Sequence, residues 1–379
     1  MINNNIKNIT TSIIGSLLCL PKLIFTLLKN INKINLSDVI IIHFGSGYGH
    51  HFTHHDLARY YFKKKNFLYI HFFESGRHNT QLGSIFDSNQ IIILNNFTIN
   101  LFNKKIKFGE YEKSLIKPLY RATCFFVKLI KKKDVKMHHF PWLYNKINNT
   151  FKKLNIKKNY ATTTLGDNKS WLDFYYSRIN KYKNNQLYKL KKNKKLKHLK
   201  NENNKICCIY LRYFNNGENF QSMRSGSKNI KDYLLLIDYL ISKKYLVYLI
   251  GDNSEKNTKD LTHSNLINLS IYKKKQREQL ELYALSECEL FISEAGGCQY
   301  FGLYSNKTLL INYFPINYPY PAKKLNKKIF DLNTKKAITI DKKIDYRDQI
   351  NMILDNKNLI LENNKPDEIL NFVKENIND

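Results

Sequence analysis

The chain has 379 residues, 43% hydrophobic and 13% aromatic, with a formal net charge of +31. That length allows two domains with separate cores, and that apolar content excludes a disordered chain. The positive charge comes with Lys, Asn and Ile crowding every segment, and no nucleic-acid module is readable, so the lysines are assigned to solvated surface and nucleic acid is not an expected partner.

At the N-terminus Ile13, Ile14, Leu17, Leu18, Ile24, Phe25 and Leu28 recur at helical spacing, with Gly15, Lys22, Thr26 and Lys29 on the other side. Pro21 and Lys22 interrupt the run. A Lys at the bilayer centre costs about 2.5–3.5 kcal/mol, which argues against a clean span. No small-residue cleavage site follows, which argues against a secretory signal. Residues 1–34 read as an amphipathic helix in the membrane interface, with Lys29 and Lys33 near anionic headgroups. A helix packed on the protein's own core would show the same periodicity.

Residues 35–180 read as strand, turn, helix. Val39 to Phe44 is a β-rich apolar run, followed by the glycine turn Gly45-Ser46-Gly47-Tyr48-Gly49 and a helix from His51 to Phe62. Phe67 to Phe73 is a second strand ending at Glu74, and Ile91 to Leu94 a third. Tyr120 to Lys133 reads as an apolar helix with a basic end. Strands alternating with helices predict an α/β fold with a parallel sheet covered on both faces. Residues 181–204 are almost entirely Lys, Asn and Leu, a composition shift that marks a basic linker.

A second alternating unit spans 205–345. Its strands are Lys205 to Arg212, Tyr245 to Ile250, Glu289 to Ser293 and Thr308 to Asn312, with helices at Asn229 to Ser242 and Gln276 to Leu285. A helical segment, 346–379, closes the chain with an amphipathic helix from Pro366 to Ile377. The cysteines Cys19, Cys124, Cys207, Cys208, Cys288 and Cys298 form no C-x-x-C pair and read as buried thiols in a reducing compartment, without a zinc site.

Ligands of open parallel sheets bind beyond the carboxyl ends of the strands. In the second half those ends are Arg212, Asp252-Asn253 and Ser293-Glu294, the last running into Gly296-Gly297 and a helix from Gln299 to Tyr304. A glycine turn at a helix N-terminus offers backbone N–H groups to an anion. Arg212 and Arg224 suit a diphosphate, because a guanidinium matches phosphate oxygens with paired hydrogen bonds. Glu294 or Asp252 could accept hydrogen bonds from sugar hydroxyls. In the first half Gly45, Gly47 and Gly49 are followed by His50, a candidate general base. This turn lacks the Gly-Lys-Ser/Thr of a P-loop and departs from G-x-G-x-x-G, although Glu74 ends the next strand as in a dinucleotide site. His54 and His55 read as an exposed polar helix face.

The segment from Ile206 to Asn312 resembles the donor domain of GT-B-type glycosyltransferases, in particular a bacterial family encoded in surface-polysaccharide gene clusters, and is similar in layout to fucosyltransferases and heptosyltransferases. The resemblance is carried by Cys208-Ile209-Tyr210-Leu211-Arg212, Asn229-Ile230-Lys231-Asp232-Tyr233, Tyr248-Leu249-Ile250-Gly251-Asp252 and Phe291-Ile292-Ser293-Glu294-Ala295-Gly296-Gly297. It implies two facing Rossmann-like domains and transfer of a sugar from a nucleotide-diphosphate donor, a co-substrate, to a cell-surface glycan or lipid-linked acceptor. No cofactor and no metal are implied: Arg212 and the Gly296-Gly297 turn would stabilise the departing diphosphate. His50, then Glu74, are the candidate bases for an inverting reaction. The resemblance also implies a cytoplasmic protein, peripheral on the inner face of the membrane, whose last helix crosses back to brace the first domain. Gly49-His50-His51 and the extra glycines depart from the family layout.

Two other readings stand beside it. A nucleotide-dependent oxidoreductase would use the first glycine turn and Glu74, leaving Arg212, Arg224 and Gly297 unexplained. A non-catalytic basic protein binding membrane or nucleic acid would leave the strand-end polar set unexplained.

Overall fold

The computed structural model describes residues 17–44, 66–74, 89–95, 97–101, 104–108, 113–131, 136–139, 205–211, 230–250, 263–295, 302, 307–315, 322–341, 344 and 346–377. The chain divides into two compact units, Met1–Thr164 and Leu165–Asp379. The segment read as a basic linker, 181–204, lies outside the described residues, as do residues 1–16.

In the first unit, helix α1 (17–29) and the short α2 (Ile31–Leu36) lead into strand β1 (Val39–Phe44). Then come β2 (Phe67–Glu74), β3 (Asn89–Asn95), an antiparallel hairpin of β4 (Phe97–Leu101) and β5 (Lys104–Phe108), helix α3 (Lys113–Ile130) and β6 (Lys136–His139). The sheet order is β3-β2-β1-β6, parallel throughout. β1 reads Val-Ile-Ile-Ile-His-Phe, the unbroken apolar run of a strand buried on both faces. Ile40 pairs with Leu68 and Ile42 with Ile70. Ile70 in turn pairs with Ile91, and Phe72 with Ile93. These residues therefore share one face of the sheet.

That face is covered by Leu23 and Leu27 of α1, Ile34 of α2 and Val127 of α3. Residues 17–36 are thus built into the first unit rather than appended to it. The buried stripe of α1 is Cys19, Leu23 and Leu27, four residues apart. Leu17, Leu18, Phe25 and Leu28, singled out from the sequence, lie on the outer face and are exposed. α3 begins earlier than its periodicity predicts and runs through Pro118. A proline removes one i→i−4 bond, and burial of Leu119, Thr123 and Val127 along one stripe outweighs it. Among the described residues no helix is long and apolar enough to cross a membrane.

The second unit holds β7 (Lys205–Tyr210), a 3-10 turn (Ile230–Tyr233) running into α4 (Leu234–Ser242), and β8 (Tyr245–Ile250). β9 (Leu266–Asn268), α5 (Lys274–Glu287), β10 (Leu290–Ser293), β11 (Lys307–Tyr313) and β12 (Lys323–Asn326) follow. The sheet order is β12-β11-β10-β7-β8-β9, again parallel throughout. Starting from β7 the chain steps outward to β9, then crosses back through α5 to β10 on the other side of β7. This is the doubly wound order in which the strand direction of growth reverses between the first and fourth strands.

Cys207, Ile209, Val247, Leu249, Ile292, Leu309 and Ile311 form one core with Leu236, Ile237 and Leu240 of α4. The last helix, α7 (Pro366–Ile377), adds Ile369 and Val373 to the same core, so its buried face belongs to the second unit. It starts as its sequence dictates: Pro366 fits the first turn, and Glu368 Oε2 accepts the Lys365 N–H at 2.8 Å. The opposite face of the sheet is covered by α5, which packs on β7 and buries Leu280 and Ala284. Antiparallel strands β13 (Lys328–Asp331), β14 (Lys336–Ile338) and β15 (Leu359–Glu362) with α6 (Tyr346–Asp355) enclose a separate small core of Phe314, Ile329, Ile340 and Ile353.

Cys19, Cys207, Cys208 and Cys288 are buried and Cys124 is partly buried, none in a disulfide. Burial pushes the Cys207 and Cys208 thiols well above the ordinary range, so they are inert core groups. Cys298 lies outside the described residues.

Because α1 is a core element on one side only, its two stripes separate energetically. Leu27→Ala is expected to destabilise the first unit by about 2–5 kcal/mol, while Phe25→Ala changes stability by no more than about 0.5 kcal/mol, both read from urea unfolding.

Candidate functional site

The reversal point of the second sheet lies between β7 and β10. Their register aligns Cys207 with Leu290 and Tyr210 with Ser293, and the Glu294 N–H donates to the Tyr210 carbonyl at 3.0 Å. The ends of β7 and β10 therefore lie side by side at the carboxyl edge of the sheet, with Leu211 and Glu294 as neighbours there. In open parallel sheets, ligands bind beyond the carboxyl ends of the strands at such a reversal.

Beneath that edge the structure builds a buried polar cluster. Ser293, Glu294 and Asn312 have no exposed surface. The Tyr233 hydroxyl, at the start of α4, donates to Glu294 Oε1 and accepts from Asn312 Nδ2 at 3.0 Å. Asn312 Oδ1 accepts the Asn364 N–H at 2.7 Å and Asn364 Nδ2 at 3.2 Å. Asn364 Nδ2 also donates to the Asn326 carbonyl at 3.0 Å. One cluster thus joins the ends of β10, β11 and β12 to the entrances of α4 and α7. Asn312 sits at φ 44°, a left-handed conformation that Asn tolerates better than most residues. The Ser293 hydroxyl donates to the Glu294 carbonyl at 2.6 Å and so fixes the strand's exit.

Lys327, immediately after β12, is also buried, and its backbone N–H donates to the Tyr313 carbonyl at 2.8 Å. Desolvation lowers its pKa to about 8, and the nearby Glu294 charge opposes the fall. Burial disfavours the ammonium, and a carboxylate within reach restores part of its stability.

Gly302 supplies a close approach beyond the turn. A Cβ there would lie 2.7 Å from Phe291 Cδ1 and 2.8 Å from Thr308 Cγ2. The Thr308 hydroxyl donates to the Gly302 carbonyl. The missing side chain lets Gly302 itself lie against Phe291 of β10 and Thr308 of β11, as glycine does where backbone must approach a sheet closely.

Of the residues assigned to a site from the sequence, Ser293 and Glu294 are described in full, and both are held inside the second unit. Glu294 gives one oxygen to Tyr233, so what the structure displays is its part in fixing the strand ends. Glu74 closes β2 in the first unit, on the edge where β1 also ends, since Phe44 pairs with Phe72. Gly45, Gly47, Gly49, His50, Arg212, Arg224, Asp252, Asn253, Gly296, Gly297 and Gln299 lie outside the described residues. Among the described residues no cluster of His, Cys, Asp and Glu could hold a metal ion.

The sequence reading missed Asn312, Lys327, Asn364 and Gly302. Tyr233 was visible only as the end of an Asn-x-x-x-Tyr pattern. Asn364 and Lys327 are camouflaged by a chain rich in both residue types. Their pairing joins positions far apart in sequence, which local spacing does not show.

Tyr233→Phe leaves buried acceptor and donor groups without the hydroxyl and is expected to destabilise the second unit by about 1–3 kcal/mol in urea unfolding. Lys327 makes a second prediction with a definite sign. Its pKa is about 8 folded, against about 10.5 in the unfolded chain. Below pH 8 both states hold the proton and the buried charge opposes folding in full. Between the two values the unfolded state binds more protons, so this group's contribution to stability rises with pH. Unfolding free energies at about pH 7.5 and about pH 9.5 should show a rise in the native protein that is smaller in Lys327→Met.

No family model matches this sequence, and no curated protein matches it. Among solved structures the chain is similar to the dodecameric iron-containing heptosyltransferase TibC in complex with ADP-D-β-D-heptose, at 12% identity and a TM-score of 0.33, over 77% of this chain and 63% of that one. It is similar to a second structure of TibC, the iron-containing dodecameric glycosyltransferase of enterotoxigenic E. coli H10407, at 10% identity and a TM-score of 0.32, over 76% and 62%. For the wall teichoic acid polymerase TagF the values are 9% and 0.26, over 82% and 78%. The chain thus spans less than two thirds of the length of either TibC chain. Likeness at this level says nothing of substrate or of residue roles.

Proposed function

We propose that the protein is a metal-independent glycosyltransferase that moves a sugar from a nucleotide-diphosphate donor to a cell-surface glycan or lipid-linked acceptor. The observation that carries this reading is the reversal point between β7 and β10, where the sequence supplies a cation, Arg212, on one side and a glycine turn, Gly296-Gly297, on the other. An edge with a guanidinium and exposed backbone N–H groups suits a diphosphate leaving group, whose charge grows as the glycosidic bond breaks. Tyr233, Asn312 and Asn364 hold Glu294, and through it the start of that turn. They are positioning residues in this scheme.

In the reaction the acceptor hydroxyl attacks the anomeric carbon, the bond to the diphosphate breaks, and a base takes the hydroxyl proton. In an inverting transfer His50 is assigned as that base, with Glu74 second; His50 follows β1 in the sequence and Glu74 closes β2. Arg224, Asp252, Asn253 and Gln299 complete the donor site with contacts to phosphate, sugar and base.

A dinucleotide oxidoreductase is favoured by the strand order alone, which such enzymes share. In those enzymes the glycine fingerprint follows the first strand of the sheet. In the second unit β7 is followed by Leu211-Arg212-Tyr213-Phe214, and the glycine pair follows β10, the fourth strand. In the first unit Gly45, Gly47 and Gly49 do follow β1 and Glu74 ends β2, but their spacing departs from G-x-G-x-x-G and this reading leaves Arg212, Arg224 and Gly297 unexplained.

The test is a thermal-shift titration of the full chain with UDP-, GDP-, ADP- and CMP-sugars and with NAD(P). A nucleotide-diphosphate sugar should stabilise the protein, by about 2.7 kcal/mol at a hundredfold excess over Kd. Arg212→Ala should weaken that binding about ten- to hundredfold. Stabilisation by NAD(P) alone, or by no nucleotide at all, overturns the reading.

A further inference from the structure

α1, α2 and α3 cover the same face of the first sheet, because Leu23, Leu27, Ile34 and Val127 all meet the face formed by Ile40, Ile42, Leu68, Ile70 and Ile91. Their outer faces therefore point the same way. At 100° per residue, Leu17, Leu28, Phe25 and Leu18 fan across the side of α1 opposite Leu23, with Lys22 and Lys29 along one border. On α3 the side opposite Thr123 carries Arg121, Phe125, Lys128 and Leu129. Phe25 and Phe125 are 68% and 59% exposed, and Leu129 is 66% exposed. Two helices that each bury one apolar stripe carry a second apolar stripe outward.

The helices are also locked together. Lys131, just after α3, donates from Nζ to the carbonyls of Ile34 at 3.2 Å and Asn35 at 3.3 Å, and to that of Ser37. These are carbonyls at the end of α2, where a helix lacks internal donors and favours a cation. The outward surface is therefore held in one arrangement.

Its charge selects the occupant. Neither 17–36 nor 113–131 contains a single Asp or Glu, while Lys22, Lys29, Lys33, Arg121 and Lys128 are all exposed. A second copy of this chain, meeting the patch through the same patch, would bring like charges together. An anionic bilayer satisfies both features, since leucine and phenylalanine enter the acyl boundary while Lys and Arg reach lipid phosphates.

We propose that the outer surface of α1 and α3 docks the first unit flat onto an anionic membrane, with Phe25 and Phe125 inserted and Lys22, Lys29, Arg121 and Lys128 on the headgroups. This goes beyond a single N-terminal amphipathic helix, because the second half of the surface comes from a helix about a hundred residues later in the chain, brought alongside by the shared sheet face. It holds whether or not the protein transfers a sugar.

The test is flotation of the full chain with phosphatidylcholine vesicles, with and without phosphatidylglycerol. Deleting α1 is unsuitable, because it would strip Leu23 and Leu27 from the core. The variants are instead Phe25→Ser/Phe125→Ser and Lys29→Glu/Lys128→Glu, whose side chains are exposed, so far-UV circular dichroism and the thermal midpoint should stay unchanged. The native chain should bind the anionic vesicles, more weakly at high salt, and either double variant should lower partitioning about tenfold or more. Absence of binding to anionic vesicles overturns the proposal. So does binding that neither variant alters, or a self-association in solution that the Phe variant abolishes. Nucleotide-sugar binding by the same variants, measured in parallel, separates a failure of docking from a failure of the transferase reading.

Discussion

The second unit depends on keeping Glu294 out of water. A carboxylate with no exposed surface costs several kcal/mol unless its oxygens are engaged, and this one is engaged by Tyr233 and lies beside Lys327. The partners come from separate elements, so satisfying the carboxylate forces the exits of β10, β11 and β12 and the entrances of α4 and α7 into one arrangement. The carboxyl edge of the sheet, where ligands of such sheets bind, rests on a polar cluster that only the assembled fold can complete. A cluster of this kind is favourable when every member is paired and unfavourable when one is lost, which makes it a specifying element more than a stabilising one.

The first unit poses a different problem. Its sheet needs cover on both faces, and α1 and α3 supply one of them with narrow stripes spaced by four residues. Those stripes use only about a third of each helix circumference. The rest of a helix on a soluble surface is ordinarily polar. Here it is apolar and basic, a composition that the core does not require. The outer surface is therefore an additional property of the sequence, and the sheet that aligns the two helices turns two short stripes into one patch.

Much of the architecture was legible in advance. β1, β8 and α7 fall on the residues their patterns predict, because apolar runs bounded by turns and a Pro-initiated amphipathic helix are strong local signals. β4, β5, β6 and the small antiparallel sheet were not read, because their short strands mix Lys and Asn with apolar residues and owe their pairing to partners elsewhere. The strand at 290–293 with its acidic end was the best local clue to a site. Its sequence did not show that Glu294 points into the domain, nor that Tyr233 and Asn312 meet there.

By itself the sequence determined that this is an α/β chain with buried parallel strands and a strongly basic composition, since periodicity and composition act locally. Tertiary structure alone decided the order β12-β11-β10-β7-β8-β9, and with it that β7 and β10 flank the reversal. It alone decided which stripe of α1 faces the core. Both are outcomes of long-range packing, in which an element's environment depends on residues tens to hundreds of positions away, and no local pattern carries that information.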